Sequence, residues 1–368
     1  MPLTHSEHTS DTLRVALIGY GLAGSVFHAP LIGATPGMSI TAIVTSSPAR
    51  QQQARQDFPS AEILTKVDAL WSQASRYDLV VVASPNRTHV SLGIAALNAG
   101  LPVVIDKPLA PTVAEAERLI ATSKKTGKLL TVFQNRRWDN DFLTVRQLVA
   151  ADMLGSITRF ESRYERYRAE PRANAWRESA AAEDAGGLLY DLGSHIIDQA
   201  VQLFGRPLQV YAEMERQRPG AYVDDDTFVA LTFAHGIHAH LWMSVVARIA
   251  GPRIRLSGLR GTYEKWGLDP QEDALRTGMR PGDPAWGKEP REQWGKLSTD
   301  IGGVHIDGTI ETLTGSYESY YALLHEALLT GGSAPVDPAD AVLTLRVIEA
   351  AQQSASSRSI VKLETYPF

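Results

Sequence analysis

The sequence predicts a doubly wound parallel α/β sheet, followed by an α+β unit with a large open sheet. In the first third of the chain, continuous apolar runs alternate with helix-length segments, the pattern of strands that are buried on both faces of a parallel sheet. After residue 133, β-rich runs follow one another with few helices between them, which favours a mostly antiparallel sheet. A length of 368 residues suits two domains.

Five apolar runs are predicted as the strands of the first domain: residues 13–18, 38–44, 78–83, 102–105 and 129–133. The segments between them predict helices over residues 24–34, 48–56, 87–99 and 112–126. The last helix begins at Thr112, and Glu115 stands three residues later, as in a capping box. We place this domain at residues 11–133, after a polar tail over residues 1–10 that we expect to be disordered.

The second domain is placed at residues 134–368. Residues 158–168 alternate, with charges at odd positions, which predicts a strand with one open face. Further strands are predicted over residues 208–217, 225–234, 237–247 and 252–257, and helices over residues 139–150, 187–203, 316–330 and 338–355. Residues 278–296, rich in Gly and Pro, predict a long irregular loop, either a lid or subunit arm or a simple surface excursion.

Composition excludes several classes of protein. Without cysteine there is no disulfide, zinc–thiolate site, iron–sulfur cluster or cysteine nucleophile. A net charge of −5 gives no electrostatic footprint for nucleic acid or an anionic membrane. No apolar run is long enough to span a bilayer, and the first residues lack signal-peptide features, so we expect a cytoplasmic protein. His238 and His240 share a strand face without a carboxylate at useful spacing, so we predict no metal site.

Residues 19–24 (GYGLAG) follow the first strand directly and open the first helix. This context is what the G-x-G-x-x-G motif of dinucleotide sites requires. Gly19 allows a tight turn, Gly21 lets the backbone approach a pyrophosphate, and Gly24 lets the helix pack on the strand. The free N–H groups of the helix N-terminus suit phosphates. We predict a Rossmann dinucleotide-binding domain; the alternative is a glycine turn that binds nothing.

The end of the second strand predicts which cofactor binds. NAD sites usually place an acidic residue there for the adenosine 2′-hydroxyl, but no Asp or Glu occurs between Asp11 and Asp57. Ser46, Ser47 and Arg50 stand at this point instead, and hydroxyls with a guanidinium suit a 2′-phosphate. We therefore predict NADP, with NAD less favoured. The alternative is that Arg50 is only a solvated helix residue.

Residues 106–108 (DKP) follow the predicted strand over residues 102–105, where the carboxyl ends of parallel strands line the ligand crevice. Lys107 would face the nicotinamide there, unless it is a surface lysine in a strand–helix loop. The proline that follows fixes the turn, and its bond to Lys107 could be cis.

A later predicted helix places Asp191, His195 and Asp198 on one face. A carboxylate one turn away would orient the imidazole and keep it a proton acceptor near neutral pH. A surface ion pair and half of a metal site are the alternatives.

These motifs, in this order and spacing, resemble the glucose–fructose oxidoreductase/inositol dehydrogenase (Gfo/Idh/MocA) family over about residues 13–360. Within that family, residues 25–28 (SVFH), 133–141 (FQNRRWDND) and 190–199 (YDLGSHIIDQ) are most similar to NADP-dependent scyllo-inositol dehydrogenases. Asp106 departs from the pattern, since the family usually has Glu before Lys-Pro.

The resemblance implies a catalytic constellation of Lys107, Asp191 and His195. His195 would accept the hydroxyl proton, Asp191 would hold its ring, and Lys107 would hold the reacting oxygen. It also implies that residues 84–89 (SPNRTH) lie beside the nicotinamide ribose. The cofactor-binding residues expected here, besides those of the glycine turn and the second strand, are Pro85, Asn86, His89, Asp106 and Lys107. Family members commonly assemble as homodimers or homotetramers through the open face of the C-terminal sheet.

A polyol or sugar needs many hydrogen-bonding groups around it. We expect Tyr164 and Arg166, on the even face of residues 158–168, and Arg137 and Trp138, just past the last Rossmann strand, to bind substrate. The alternative is that Arg166 forms cross-strand ion pairs or contacts a neighbouring subunit. Three functions stay open: an NADP-dependent polyol dehydrogenase, with scyllo-inositol and its ketone leading; a reductase of another carbonyl sugar, such as an aldose or anhydrofructose; and a non-catalytic NADP-binding regulator.

Overall fold

The computed structural model describes residues 12–171, 178 and 181–363, so the predicted disordered tail lies outside the described residues. Two sheets organise the fold. The first has six parallel strands in the order β3-β2-β1-β4-β5-β6, and the second has nine strands in the order β14-β13-β12-β11-β7-β10-β9-β8-β15. Doubly wound α/β followed by a mixed, mostly antiparallel sheet confirms the predicted fold class.

The first sheet forms because its strands are apolar throughout and helices cover both of its faces; every residue of β4 and β6 is buried. Its elements in chain order are β1 (Leu13–Ile18), α1 (Ala29–Gly33), β2 (Met38–Val44), α2 (Pro48–Asp57), β3 (Glu62–Leu64), α3 (Asp68–Trp71), β4 (Leu79–Val82), α4 (His89–Asn98), β5 (Val103–Asp106), α5 (Val113–Thr126) and β6 (Leu130–Phe133). The prediction missed β3 and α3, which are too short to show a period. The strand order reverses between β1 and β4, and this switch point opens the ligand crevice at the carboxyl ends of the strands.

The second sheet is built from α6 (Asn140–Ala150), β7 (Ile157–Glu165), α7 (Ser194–Phe204), β8 (Gln209–Glu215), β9 (Asp226–Thr232), β10 (His238–Ser244), β11 (Ile254–Gly258), β12 (Gly261–Lys265), α8 (Gln271–Arg276), β13 (Gly295–Ile301), β14 (Val304–Ile310), α9 (Glu318–Thr330), α10 (Pro338–Ser357) and β15 (Val361–Lys362). One pair in this sheet, β7 with β10, is parallel, and its other pairs are antiparallel. The parallel pair is possible because α7 and the β8–β9 hairpin supply the long crossover that parallel pairing needs.

The predicted strand over residues 158–168 ends earlier than expected. β7 stops at Glu165, so Arg166 lies beyond the strand, and Tyr167 makes only an isolated bridge to Val246. Even residues of β7 face the core and odd residues face outward, as the alternation predicted. The predicted loop over residues 278–296 follows α8 and runs into β13, and α8 itself was not predicted.

Buried polar contacts join the C-terminal helices to the Rossmann sheet. Arg137, just after β6, donates to Asp198 of α7 at 2.6 and 2.8 Å and to Asp340 of α10 at 3.0 Å. Thr131 of β6 donates to the Val336 carbonyl at 2.8 Å. Among the described helices, none has the length and apolar character to cross a membrane.

We expect Asp198→Ala to lower the free energy of unfolding by about 3 kcal/mol, because it leaves the buried Arg137 guanidinium with less of its compensating charge. Urea unfolding followed by circular dichroism measures the change. Asp300→Ala is the control, since Asp300 pairs with His305 on the exposed surface, where ion pairs contribute little. Equal destabilisation by the two variants would contradict the role given to the buried pair.

Candidate active site

The glycine turn after β1 is a cradle that other residues could not form. Gly19 has φ +98°, and an added Cβ would lie 2.5 Å from the Ala83 carbonyl oxygen at the end of β4. A Cβ on Gly24 would lie 2.0 Å from the Gly19 carbonyl oxygen. At Gly21 the nearest neighbour of an added Cβ is the Arg50 guanidinium at 3.5 Å. The turn is thus closed on the strand side and open on the side where a pyrophosphate would approach, so the residues present fit a dinucleotide.

Arg50 reaches over this turn from α2. Ser47 is the N-cap residue of α2, Pro48 is its first residue, and Ser46 is exposed just before it. None of the described carboxylates pairs with Arg50. The segment therefore holds a guanidinium and two hydroxyl-bearing residues beside the mouth of the glycine turn.

The loop after β4 holds different partners from those expected. Pro85 precedes a short helical turn, Asn86–Thr88, in which the Asn86 amide donates to the Asp184 carbonyl at 2.9 Å. Arg87 pairs with the Asp184 carboxylate through two contacts of 2.6 Å. The loop is thereby joined to the segment that leads into α7.

His89 was expected to contact the nicotinamide ribose, but its ring nitrogens face protein carbonyl oxygens. It is fully buried, with Nδ1 2.8 Å from the Pro108 carbonyl oxygen and Nε2 2.9 Å from the Ser84 carbonyl oxygen. Burial lowers its pKa, against the raising effects of nearby Asp106 and of the two carbonyl oxygens. His89 therefore holds the loop after β4 against the turn after β5 rather than facing the crevice.

Lys107 stands at the carboxyl end of β5, and its bond to Pro108 is cis. Its Nζ donates to the Asp191 carbonyl oxygen at 2.5 Å and to the Asp191 carboxylate at 3.1 Å. Asp106 accepts from the Lys107 backbone N–H at 2.9 Å and lies 3.7 Å from the imidazole of His28. Burial acts to raise the pKa of Asp106, but the imidazole of His28 and the charge of Lys107 outweigh it and lower the pKa.

His195 is buried at the start of α7, after a π-helical turn over Leu189–Gly193. Its Nδ1 has no hydrogen-bond partner among the residues that the structure describes. Burial, followed by the positive charges of Lys107, Arg136 and Arg253, lowers its pKa well below the ordinary value. The imidazole is neutral, and its pKa is not held near neutral pH as expected.

Asp191, His195 and Asp198 were predicted to share one helix face, but they have different surroundings in the structure. Asp191 contacts Lys107, and Asp198 pairs with Arg137. The carboxylates before and after His195 in the sequence thus pair with cations that come from other elements.

A cleft of about 170 Å³ separates the Rossmann unit from the second sheet. It brings together five of the predicted site residues: Asp106, Lys107, Arg166, Asp191 and His195. The other residues that line it are Leu22, Ala23, Phe27, Phe133, Asn135, Arg136, Leu192, Glu272 and Arg276.

Arg136, rather than Arg137, lines the cleft. The short helical turn Asn135–Trp138 sends neighbouring side chains in different directions, so Arg137 enters the protein while Arg136 points between the two units. The sequence contained the signal, because residues after the carboxyl end of β6 border the crevice. Nothing comparable indicated Glu272 and Arg276, which come from a distant segment of the chain.

Two other predicted substrate contacts lie behind the cleft. The Tyr164 hydroxyl donates to Asp139 and accepts from Arg253, both at 3.2 Å, and its ring packs under the Arg136 guanidinium at 5.0 Å. The Trp138 ring packs edge-on against Tyr320 at 5.8 Å. Neither side chain is part of the cleft lining, so both support the wall rather than form it.

Buried charges hold the wall in place. Arg253 Nε lies 3.1 Å from the carboxylate of Asp141, and Arg136 lies 3.5 Å from that of Asp139. Burial, together with the neighbouring Asp141, raises the pKa of Asp139 to about 6 despite the charge of Arg136. No three His, Asp or Glu side chains among the described residues come together in a way that could hold a metal ion.

Comparison with known proteins covers nearly the whole chain. Residues 13–134 match the Gfo/Idh/MocA description "Oxidoreductase family, NAD-binding Rossmann fold", and residues 146–363 match "Oxidoreductase family, C-terminal alpha/beta domain". The chain is 39% identical to scyllo-inositol 2-dehydrogenase (NADP(+)) IolW of Bacillus subtilis, over 96% of this chain and 97% of that protein. It is 38% identical to YdgJ of Escherichia coli K12, named only as an oxidoreductase, over 96% and 99%. The solved structure of yvaA from Bacillus subtilis, 37% identical, superposes with a TM-score of 0.92 over 97% of this chain and 100% of that chain.

Substitutions at Gly24 and Gly21 should change different properties: the first should lower stability, and the second should weaken cofactor binding. Gly24→Ala should lower the unfolding free energy by about 2 kcal/mol, because its Cβ meets fixed backbone. Gly21→Ala should leave stability nearly unchanged, since its Cβ has room, but should weaken NADP binding at least about tenfold, roughly the loss of one hydrogen bond to a charged group. Thermal unfolding without cofactor and calorimetric titration with NADP separate the two. Unchanged NADP binding by the Gly21 variant would contradict the predicted pyrophosphate position.

Proposed function

The chain belongs to the Gfo/Idh/MocA family of oxidoreductases and is a dehydrogenase that acts on CH–OH donors, and we propose that it interconverts a cyclic polyol, scyllo-inositol first, and its ketone with NADP. The observation that carries the proposal is the Lys107–Asp191 contact beside His195 at the edge of the cleft. Similarity to the NADP-linked scyllo-inositol 2-dehydrogenase over 96% of the chain supports the choice of substrate.

The cofactor would be held by residues of the Rossmann unit. Gly19 and Gly21 would make room for the pyrophosphate, and Gly24 would let the helix approach it closely. Ser46, Ser47 and Arg50 would surround the 2′-phosphate. Pro85 and Asn86 stay candidates for the nicotinamide end. When bound, NADP supplies the hydride-accepting ring, and the protein supplies position and electrostatics.

Lys107 would hold the reacting oxygen. An ammonium has three N–H donors, and the carbonyl and carboxylate of Asp191 take two of them. The third is left for the substrate hydroxyl, where a positive charge stabilises alkoxide character. Asp191 therefore acts by fixing the direction of the lysine, which differs from the expected role of holding the imidazole.

His195 would accept the proton of the reacting hydroxyl. A base must be unprotonated before the proton leaves, and the lowered pKa of His195 favours that form. Arg166, which lines the cleft beyond the end of β7, would bind another hydroxyl of the ring.

Assembly stays a prediction. The outward face of the nine-stranded sheet carries Trp242 with the Arg163 guanidinium 3.9 Å from its ring centre, and Phe228 and His240 lie beside it. Such a face with aromatic and charged residues suits a homodimer or homotetramer, and sedimentation velocity measures the number of subunits.

Initial rates of reduced-cofactor formation test the proposed reaction, with NADP or NAD against scyllo-inositol, myo-inositol, D-glucose and D-xylose. The reverse reaction is followed as NADPH consumption with the matching ketones. We expect turnover of scyllo-inositol with NADP. Lys107→Ala should lower kcat by about 100-fold or more and leave NADP binding near normal, and Lys124→Ala, on the exposed face of α5, is its control. Reduction of a keto-sugar alone would replace the substrate, and NADP binding without any turnover would favour a regulator.

Arg50→Ala tests the cofactor preference. Loss of a charge-assisted contact to the 2′-phosphate should raise KM for NADP by about 10- to 100-fold, while KM for NAD changes little. Arg55→Ala, exposed on the same helix, should change neither constant. An equal effect of the Arg50 change on both cofactors would refute the 2′-phosphate role.

A further inference from the structure

Glu272 lines the cleft and lies between two arginines. It is the second residue of α8. One carboxylate oxygen accepts from Arg136 Nη2 at 2.7 Å, and the other accepts from Arg276 at 2.7 and 3.1 Å. Burial acts to raise the pKa of Glu272, but the two guanidinium groups outweigh it and lower the pKa, so the carboxylate stays ionised.

The segment that carries Glu272 is anchored to the rest of the second unit. Asp269, just before α8, accepts from the Asn140 backbone N–H at 2.7 Å. The side chain of Gln271 donates to the Trp138 carbonyl at 3.1 Å and accepts from the Tyr317 backbone N–H at 2.7 Å. These contacts tie α8 to the starts of α6 and α9, so its position in the wall is fixed.

The first arginine is fixed as well. Arg136 packs on the Tyr164 ring and lies 3.5 Å from Asp139, and its carbonyl accepts from Gln199 at 2.9 Å. Burial acts to lower its pKa, but the hydroxyls and carboxylates around it raise the pKa well above the ordinary value, so it remains a cation. The wall therefore presents a fixed donor beside a fixed acceptor.

Such a pair complements two adjacent hydroxyl groups. An ionised carboxylate only accepts hydrogen bonds and a guanidinium only donates them, whereas each hydroxyl does both. Two neighbouring hydroxyls can donate to the carboxylate and accept from the guanidinium at once, whereas a lone hydroxyl makes only part of this arrangement and an apolar substituent makes none of it.

We propose that the Arg136–Glu272 pair is a specificity determinant that binds a vicinal diol of the substrate while Lys107 holds its reacting oxygen. The proposal rests on the proposed polyol reaction and narrows it to substrates that carry a diol beyond the reacting carbon. Glu272 is a binding residue here and takes no part in proton or hydride transfer.

The test compares Glu272→Gln with Asp273→Asn, a matched control whose side chain is exposed on the same helix and lies outside the cleft lining. Binding of scyllo-inositol is measured by calorimetry on the protein saturated with NADPH, which cannot accept a hydride, and kcat and KM are measured with NADP. The Glu272 change should raise Kd and KM for scyllo-inositol by about 10- to 100-fold, the loss of one or two hydrogen bonds to a charged group. The affinity for NADP should stay within about twofold, and kcat should fall less than KM rises.

The two proposals fail in different ways. If the wild type binds scyllo-inositol without hydride transfer, and Glu272→Gln weakens that binding, the proposed reaction is wrong and the diol site is supported. If the Glu272 change leaves Kd and KM unaltered, or the Asp273 change weakens binding equally, the diol site is overturned even where turnover is normal. A wild type that binds no scyllo-inositol at millimolar concentration also overturns it.

Discussion

The contact between Lys107 and Asp191 joins the two units at the point where chemistry can occur. Lys107 stands at the carboxyl end of a parallel strand, where the crevice of a doubly wound sheet lies, and Asp191 stands on the π-helical turn that leads into α7. Because the ammonium donates to both the carbonyl and the carboxylate of Asp191, its direction is fixed by backbone as well as by side chain. Lys107 and Asp191 line the cleft together with His195, so this contact forms part of the cleft wall.

The site also depends on where charge is buried. His195 is surrounded by cations and buried, so it stays neutral, while Arg136 and Arg253 are balanced from behind by Asp139 and Asp141. Removing one member of such a network leaves an uncompensated charge in a medium of low dielectric constant. Tyr164, which packs on both guanidinium groups, is itself buried, and a buried environment of low dielectric constant strengthens the same interactions.

The third contribution comes from the long excursion between β12 and β13. It carries α8 to the glycine-rich segment of the Rossmann unit, and it is fastened by the fully buried pair of Lys265 with Glu289 at 2.8 Å. Glu272 thereby enters a cleft whose other walls come from β5, from the turn after β6 and from α7. Helix α8, which precedes the predicted loop over residues 278–296, thus completes the lining of the cleft.

The sequence by itself determined the fold class, the glycine turn and most of the strands, because burial on both faces and the period of each strand are local properties of the chain. It also placed Lys107, Asp191 and His195 in one site through motifs that resemble a known family. Tertiary structure alone decided their partners. Asp191 contacts Lys107, and His89 is buried with both ring nitrogens close to carbonyl oxygens. In the turn after β6, Arg136 lines the cleft and Arg137 does not, and α8 adds Glu272 from a distant part of the chain. These features depend on side-chain directions and on contacts between residues that are distant in sequence. Spacing along the chain determines neither the directions nor the contacts.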